Sequence, residues 1–262
     1  MIPNWKEILI VYEQAVDELK LKFKRIRKEF RAMDEYSPIE FVTGRVKEIN
    51  SIINKANLRG IPLSEVETGI EDIAGIRIMC QFEDDIHRVV DLIKSRYDME
   101  VVEERDYITN FKESGYRSYH MIIRYRVNTA HGVKPVLAEI QIRTLAMNFW
   151  ATIEHSLNYK FDQQIPDHIA ERLQQAAEAV YTLDKQMSQI REEIMDAQEL
   201  FASRAHLVED SLNMLQNLYM SGDVEEIDEL YDEFMVLRKK GNLQELRDFR
   251  QRLMVMTRQM QD

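Results

Sequence analysis

Apolar residues recur at helical spacing from the first turns of the chain. Ile8, Tyr12, Ala15, Val16, Leu19, Phe23 and Ile26 share one face of a helix predicted over about residues 4–33. The opposite face carries Lys20, Lys22, Lys24, Arg25, Arg27, Lys28 and Arg31. That cluster reads either as a solvated face or as a surface for an anionic ligand or partner. A second helix, or a helix pair, is predicted over 37–56, with Ser37 as N-cap, Pro38 at the first helical position and Glu40 three residues after Ser37. The pattern then changes. Residues 72–82 alternate and are rich in Ile, which predicts a strand. A helix follows over 84–97, then strands over 99–108, 119–127 and 136–144, the last two forming a hairpin around a turn at 129–135.

From Leu145 onward the pattern is helical throughout. One helix is predicted over 145–160 and a long one over 169–201, with Leu173, Ala176, Ala177, Val180, Leu183, Met187, Ile190 and Ile194 as its apolar stripe. Further helices are predicted over about 207–220, 224–239 and 243–260. The last two echo each other weakly, with Gly222 over Gly241 and Asp223 over Asn242. In each, a helix-ending Gly precedes an N-cap residue. Two copies do not make a solenoid. The organisation expected is an α/β or α+β sheet with helices against it over residues 1–204, followed by a helical extension over 205–262. The apolar residues of that extension (Leu215, Leu218, Ile227, Leu230, Leu237, Leu246, Leu253) pack either on another protomer or as a cap on their own subunit.

Composition narrows the picture. Gly and Pro are scarce, 8 and 5 in 262 residues, which argues against a turn-rich all-β fold. The net charge of −11 excludes a global basic field for nucleic acid and leaves room for a local basic pocket. The single Cys80 excludes an internal disulfide framework and a Cys-rich zinc site; its apolar neighbours predict a buried, inert thiol. The first residues lack the basic start and long apolar core of a signal peptide, and no run approaches a membrane span, so a cytoplasmic location without membrane contact is expected.

Period two along 136–144 places Leu137, Glu139, Gln141 and Arg143 on one face, too charged for a core and suited to a ligand. Glu139 either pairs with Arg143 or a neighbouring strand, or serves chemistry. Asp72, at the start of its strand, is either a turn residue or the partner of Glu139 in a two-carboxylate site. Such a pair suits magnesium, which takes oxygen ligands and keeps waters for substrate phosphates. Cations surround it: Arg45, Lys47, Lys55 and Arg59 on one side, Arg105, Lys112, Arg117 and Arg143 around the hairpin. Tyr116 and Tyr119 offer faces for a purine base, and Arg45 or Arg77 can stack on another. The combination points to phosphoryl-group chemistry on nucleotides. Neither a P-loop, a Rossmann fingerprint nor an HExxH motif is present, and His155 beside Glu154 is a weak candidate ligand.

The stretches "EFVTGRVK", "DIAGIRIMCQF", "RDYI…KESGYRSYH" and "EIQIRTLAMNFWATIEHSLNYK", in this order, resemble the synthetase domain of the RelA/SpoT family. The likeness covers roughly residues 5–204 and is greatest to the small single-domain alarmone synthetases of the RelQ type. It implies a nucleotidyltransferase-like mixed β-sheet flanked by helices. It also implies transfer of pyrophosphate from ATP to the ribose 3′-hydroxyl of GDP or GTP, giving ppGpp or pppGpp and AMP. Carried over by motif, Asp72 resembles the Mg²⁺-binding carboxylate. Glu139 resembles the second acidic residue, which helps bind the metal or activates the 3′-hydroxyl. Arg45 and Arg77 resemble the pair that sandwiches adenine, with Lys47, Lys55 and Arg59 on the ATP phosphates. Tyr116 resembles the residue that stacks on guanine, and Arg105, Lys112, His120 and Gln141 join it on the acceptor side.

The resemblance further implies a homotetramer, and an allosteric alarmone in a cleft to which Lys20, Lys24, Phe41, Thr43 and Asn148 correspond. Some relatives bind single-stranded RNA. Two features depart from the family pattern. The stretch after Lys55 is less basic than usual, with Leu58 and Gly60 around Arg59, and residues 205–262 have no counterpart. The chain starts directly in the synthetase's leading helix, so the hydrolase activity of long relatives is not expected. Two other readings remain: a related transferase with another 3′-hydroxyl acceptor, such as an adenine nucleotide or a tRNA end, and an RNA- or protein-binding regulator with a degenerate site.

Overall fold

The structure, a computed structural model, describes residues 4–160, 165–221 and 224–259. Helix α1 (Trp5–Ala32) buries Val11, Tyr12, Ala15, Val16, Leu19 and Phe23, the expected face. The chain then departs from expectation. In place of a helix across 37–56 it forms strand β1 (Phe41–Val46) and only then helix α2 (Ile49–Arg59). The Ser37 hydroxyl does accept the Ile39 N–H, at 3.2 Å, but this closes a local turn. Phe41, Val42, Thr43 and Val46 are aromatic or β-branched, and a sheet edge lies beside them. Gly44 completes the reason: a Cβ there would sit 2.9 Å from Val16 and Lys20 of α1 and from Ile76, so only glycine lets the strand pass this close under the helix.

After a 3₁₀ turn (Leu63–Glu65) and the short α3 (Val66–Gly69) come β2 (Ala74–Cys80), α4 (Glu83–Lys94), β3 (Met99–Asp106), β4 (Tyr119–Thr129) and β5 (Gly132–Thr144). The strand order is β1-β2-β5-β4-β3. The β2–β5 pair is parallel and the others antiparallel, so the sheet is mixed. The hairpin is tighter than the turn predicted at 129–135: Thr129 pairs with Gly132, and both strands run through most of that segment. One sheet face, with Ile76, Ile78, Ala138, Ile140, Ile142, Met121 and Ile123, forms a single core with α1 and α4. Cys80 is fully buried and burial pushes its thiol well above the usual range, as its surroundings predicted. Tyr119 belongs to this core as well; its hydroxyl donates to Glu104 at 2.5 Å and its ring meets His87 edge-on.

Helix α5 (Leu145–Lys160) starts at the end of β5, where the Thr144 hydroxyl accepts the Met147 N–H at 3.0 Å and donates to the buried Asp184 at 2.6 Å. Burial, reinforced by nearby Glu83, lifts the Asp184 carboxyl to about 6 against the Thr144 hydrogen bond. A carboxyl raised in the folded state favours folding while protonated and opposes it once ionised. Stability from this source therefore falls as pH rises from the ordinary Asp range through about 6. Asp184→Asn keeps an oxygen for Thr144 and removes the charge. It is expected to raise stability above that pH by up to about 3 kcal/mol and to leave it unchanged in acid. Denaturant unfolding at two pH values checks this; an equal gain at both would remove the carboxyl as its cause.

Helix α6 (Asp167–Ser221) is one 55-residue element, continuous where a break after residue 201 was expected. Of its predicted apolar stripe, Ala177 is buried with Leu173 and Val180 packed beside it. Leu183, Met187, Ile190 and Ile194 are exposed. The chain packs as two compact units, Met1–Ser188 and Gln189–Asp262, which divide inside this helix. In the second unit the end of α6 with α7 (Val224–Lys240) and α8 (Leu243–Gln259) encloses Leu215, Leu218, Ile227, Phe234, Leu246, Phe249 and Leu253. The apolar residues of the extension thus fill its own core, with Phe234 and Phe249 stacked at 5.9 Å. Among the described residues no helix is long and apolar enough to cross a membrane.

Candidate active site

Residues paired across neighbouring strands share a sheet face. The register therefore lays Thr43, Arg77, Gln141, His120 and Arg105 in one row across all five strands, on the face opposite the core. The adjacent row runs Arg45, Gly75, Glu139, Ile122 and Glu103. Gly75 leaves a gap between Arg45 and Glu139. There the two rows line a small cavity of about 110 Å³ that holds Asp72, Glu139, Arg45, Arg77 and Gln141 together.

Asp72 precedes β2 and is gripped by two lysines. Lys47 Nζ lies 2.7 Å from Oδ2 and Lys55 Nζ 2.9 Å from Oδ1. Burial opposes its ionisation, but the two ammonium groups outweigh burial and hold the carboxyl below its ordinary range. Glu139 behaves alike. Burial pushes it up, yet hydrogen bonds from His120 Nδ1 (3.0 Å) and Gln141 Nε2 (2.7 Å) bring it below the usual value despite the neighbouring Asp72 charge. Both carboxylates are thus ionised at neutral pH. Burial and the nearby Arg143 and Arg45 make Arg77 a weaker base than usual, so this face carries a cation excess suited to an anion.

A second cavity of about 380 Å³ shares Arg45, Arg77 and Gln141 with the first and adds Lys112, Tyr116 and Arg143, with Ala151, Thr152, Glu154 and His155 of α5 as the far wall. The Lys112 ammonium sits 5.1 Å above the Tyr116 ring and 5.0 Å above Tyr107. The loop that presents Tyr116 turns at Gly115, whose φ is 86°. A Cβ there would also come within 2.5 Å of Ala177, so the loop seats on α6 only with glycine. Arg117 locks the same loop: its guanidinium lies between Phe111 (4.1 Å) and Tyr181 (3.9 Å) and pairs with Glu178 at 3.1 Å.

Most of the residues singled out from sequence therefore meet on one face. Arg59 and Arg105 stand at its edge, where both converge on Glu71, at 3.7 and 3.0 Å. His120 is buried, with both ring nitrogens engaged by Glu139 and Tyr116. Of Lys20, Lys24, Phe41, Thr43 and Asn148, only Thr43 lines either cavity; Lys20 pairs with Asp17 at 3.2 Å and Lys24 is exposed. Sequence reasoning passed over Glu71 and Tyr107. Glu71 is masked by its place beside Asp72. Tyr107, edge-on to His120 at 5.2 Å, fell inside the strand predicted over 99–108 but lies just past the end of β3.

Two ionised carboxylates among cations, next to a cavity walled by a tyrosine and three guanidinium groups, make an arrangement suited to phosphate transfer between nucleotides on a mixed sheet. Residues 44–164 match the family described as the region found in RelA/SpoT proteins. The chain is 56% identical over 201 residues to GTP pyrophosphokinase YjbM of Bacillus subtilis, covering 77% of this chain and 95% of that protein. It is 42% identical over 196 residues to GTP pyrophosphokinase YwaC of the same organism, covering 74% and 93%. Among solved structures, Bacillus subtilis small alarmone synthetase 1 bound to its product pppGpp superposes with a TM-score of 0.70 at 57% identity, covering 72% of this chain and 97% of that one. The chain belongs to the RelA/SpoT family, and its likeness is to the family's small alarmone synthetases.

Proposed function

We infer that this protein is a GTP/GDP pyrophosphokinase that moves the β,γ-diphosphate of ATP to the ribose 3′-hydroxyl of GDP or GTP. The observation that carries this reading is the pair of joined cavities: Arg45, Arg77 and Gln141 line both the carboxylate cavity and the Tyr116 cavity. Two nucleotides can then lie with their reacting groups between them. The new bond joins the acceptor 3′-oxygen to the β-phosphorus. The bridge between the α- and β-phosphates breaks, and its oxygen leaves with AMP. Glu139, ionised and held at both oxygens, accepts the hydroxyl proton. Arg45 and Arg77 bind adenine, and Lys47, Lys55 and Arg59 its phosphates. Tyr116 stacks on guanine, while Lys112, Arg105, Gln141 and His120 serve the acceptor side.

Asp72 and Glu139 offer two hard oxygen donors in one cavity, and among the described residues no third His, Cys, Asp or Glu completes a cluster. That fits Mg²⁺, which binds through one or two carboxylates and keeps its remaining positions for water and substrate phosphate. When bound it supplies charge stabilisation at the phosphates.

Names carried by the Bacillus relatives, and the pppGpp bound to one of them, support this assignment over a transferase with an adenine-nucleotide or tRNA acceptor. Incubation with ATP and each acceptor in turn tests it: GDP and GTP are expected to yield a pyrophosphorylated product. Product from another acceptor alone would overturn the reading. A cytoplasmic homotetramer, with an alarmone bound near Thr43 and Phe41 or with single-stranded RNA as a further ligand, belongs to the same proposal. So does the role of residues 205–262 as an appendage to a synthetase spanning 1–204.

A further inference from the structure

Five side chains on the open face close a ring of hydrogen bonds. Arg143 Nη2 donates to Tyr116 Oη at 2.5 Å and to Gln141 Oε1 at 2.8 Å. Tyr116 Oη meets His120 Nε2 at 2.8 Å, and His120 Nδ1 meets Glu139 Oε1 at 3.0 Å. Gln141 Nε2 donates to Glu139 Oε2 at 2.7 Å. Donor chemistry gives the ring a direction. A guanidinium can only donate and a carboxylate can only accept. Tyr116 accepts from Arg143 and has its own hydrogen to give to His120 Nε2, an arrangement that leaves the imidazole proton on Nδ1 to donate to Glu139. Gln141 presents its oxygen to Arg143, and to Arg77 Nε at 3.2 Å, which leaves its amino group for Glu139. Two arms thus leave Arg143 and converge on Glu139.

Arg143 is 3% exposed, and its Nε is anchored on Ser118 Oγ at 3.1 Å. A buried guanidinium with no carboxylate among the hydrogen-bond partners described is costly. A simple structural tie would not need a charge. We propose that Arg143 is a positioning residue for the acceptor nucleotide: it sets the Tyr116 ring and the Gln141 amide, and through these two arms orients Glu139. This rests on the acceptor reading of the Tyr116 cavity given above.

The test measures equilibrium binding of GDP and of a non-hydrolysable ATP analogue by calorimetry without metal. Arg143→Met is expected to weaken GDP about ten-fold, as for buried polar partners left unmatched, with the ATP analogue changed by less than about three-fold. Ser118→Ala, which removes the hydroxyl that anchors Arg143 Nε and also reaches Tyr116, is expected to weaken GDP about three-fold. In a Tyr116→Phe background, Arg143→Met adds less than it does alone, because one of its two arms acts through the hydroxyl already removed. Equal losses for both nucleotides, additive losses, or unchanged GDP binding in a folded Arg143→Met protein would overturn the positioning role. Should Arg143→Met not fold, Ser118→Ala decides: unchanged GDP affinity there rejects the proposal. If the unsubstituted protein bound neither GDP nor GTP, the acceptor reading itself would fall. If it bound them while the variants matched it, only the role of Arg143 would.

Discussion

Glu139→Gln is expected to cut turnover by ~10²–10⁴-fold while GDP and ATP affinities stay within about three-fold. The substitution keeps size and polarity and removes the carboxylate proposed to accept the 3′-hydroxyl proton. Its neighbours sharpen the expectation. His120 Nδ1 and Gln141 Nε2 both point hydrogens at this carboxylate, one at each oxygen. An amide at position 139 has a single oxygen, so one donor must turn away or face another donor. A modest loss of thermal stability should accompany the kinetic loss, and single-turnover assays separate the two. A folded Glu139→Gln protein with normal turnover would remove Glu139 from proton transfer. Loss of GDP binding comparable to the loss of turnover would make it a binding residue instead.

The sheet and its site were legible in the sequence where the signal was periodic. Alternation over 136–144 placed Glu139, Gln141 and Arg143 on one face, and the register confirms that face as the open one. Strand β1 was not legible. Its six residues are too few to establish a period of two, and the Ser-Pro-x-Glu start imitates a helix cap. What decides the matter is tertiary, namely the Ile76 edge and the close pass of α1 over Gly44. The α6 stripe failed for the converse reason. Its period is helical throughout, but period says only that residues share a face, not that anything covers it; Met187 and Ile194 remain exposed. Within the site, residue types announced cations and carboxylates but not their pairing. That Lys47 and Lys55 both close on Asp72, or that Arg59 and Arg105 share Glu71, depends on how α2 and β3 meet the segment that leads into β2.

That pairing yields a second large effect, opposite in binding to the first. Asp72→Asn is expected to lower turnover by ~10²–10³-fold, the usual cost of removing a preorganised electrostatic group. ATP should nevertheless bind as tightly or more tightly in the absence of Mg²⁺. Lys47 and Lys55 now spend their charge on Asp72, within 3 Å on either side. Without the carboxylate they face the cavity unneutralised, and a triphosphate is the natural counter-charge. The dependence of ATP affinity on Mg²⁺ should flatten more in Asp72→Asn than in Glu139→Gln, because only the former also frees Lys47 and Lys55. The acid response should differ from the unsubstituted protein as well. The Asp72 carboxyl is held below its ordinary value, so its pairing contributes stability above the unfolded-state pKa, lost as pH falls through the lower folded one. Asp72→Asn has no such loss to show. Titrating an ATP analogue at stepped Mg²⁺ concentrations checks the argument. An Asp72→Asn protein whose ATP affinity still rises with Mg²⁺, and which still turns over, would show that the metal is held elsewhere and that the two lysines serve Asp72 alone.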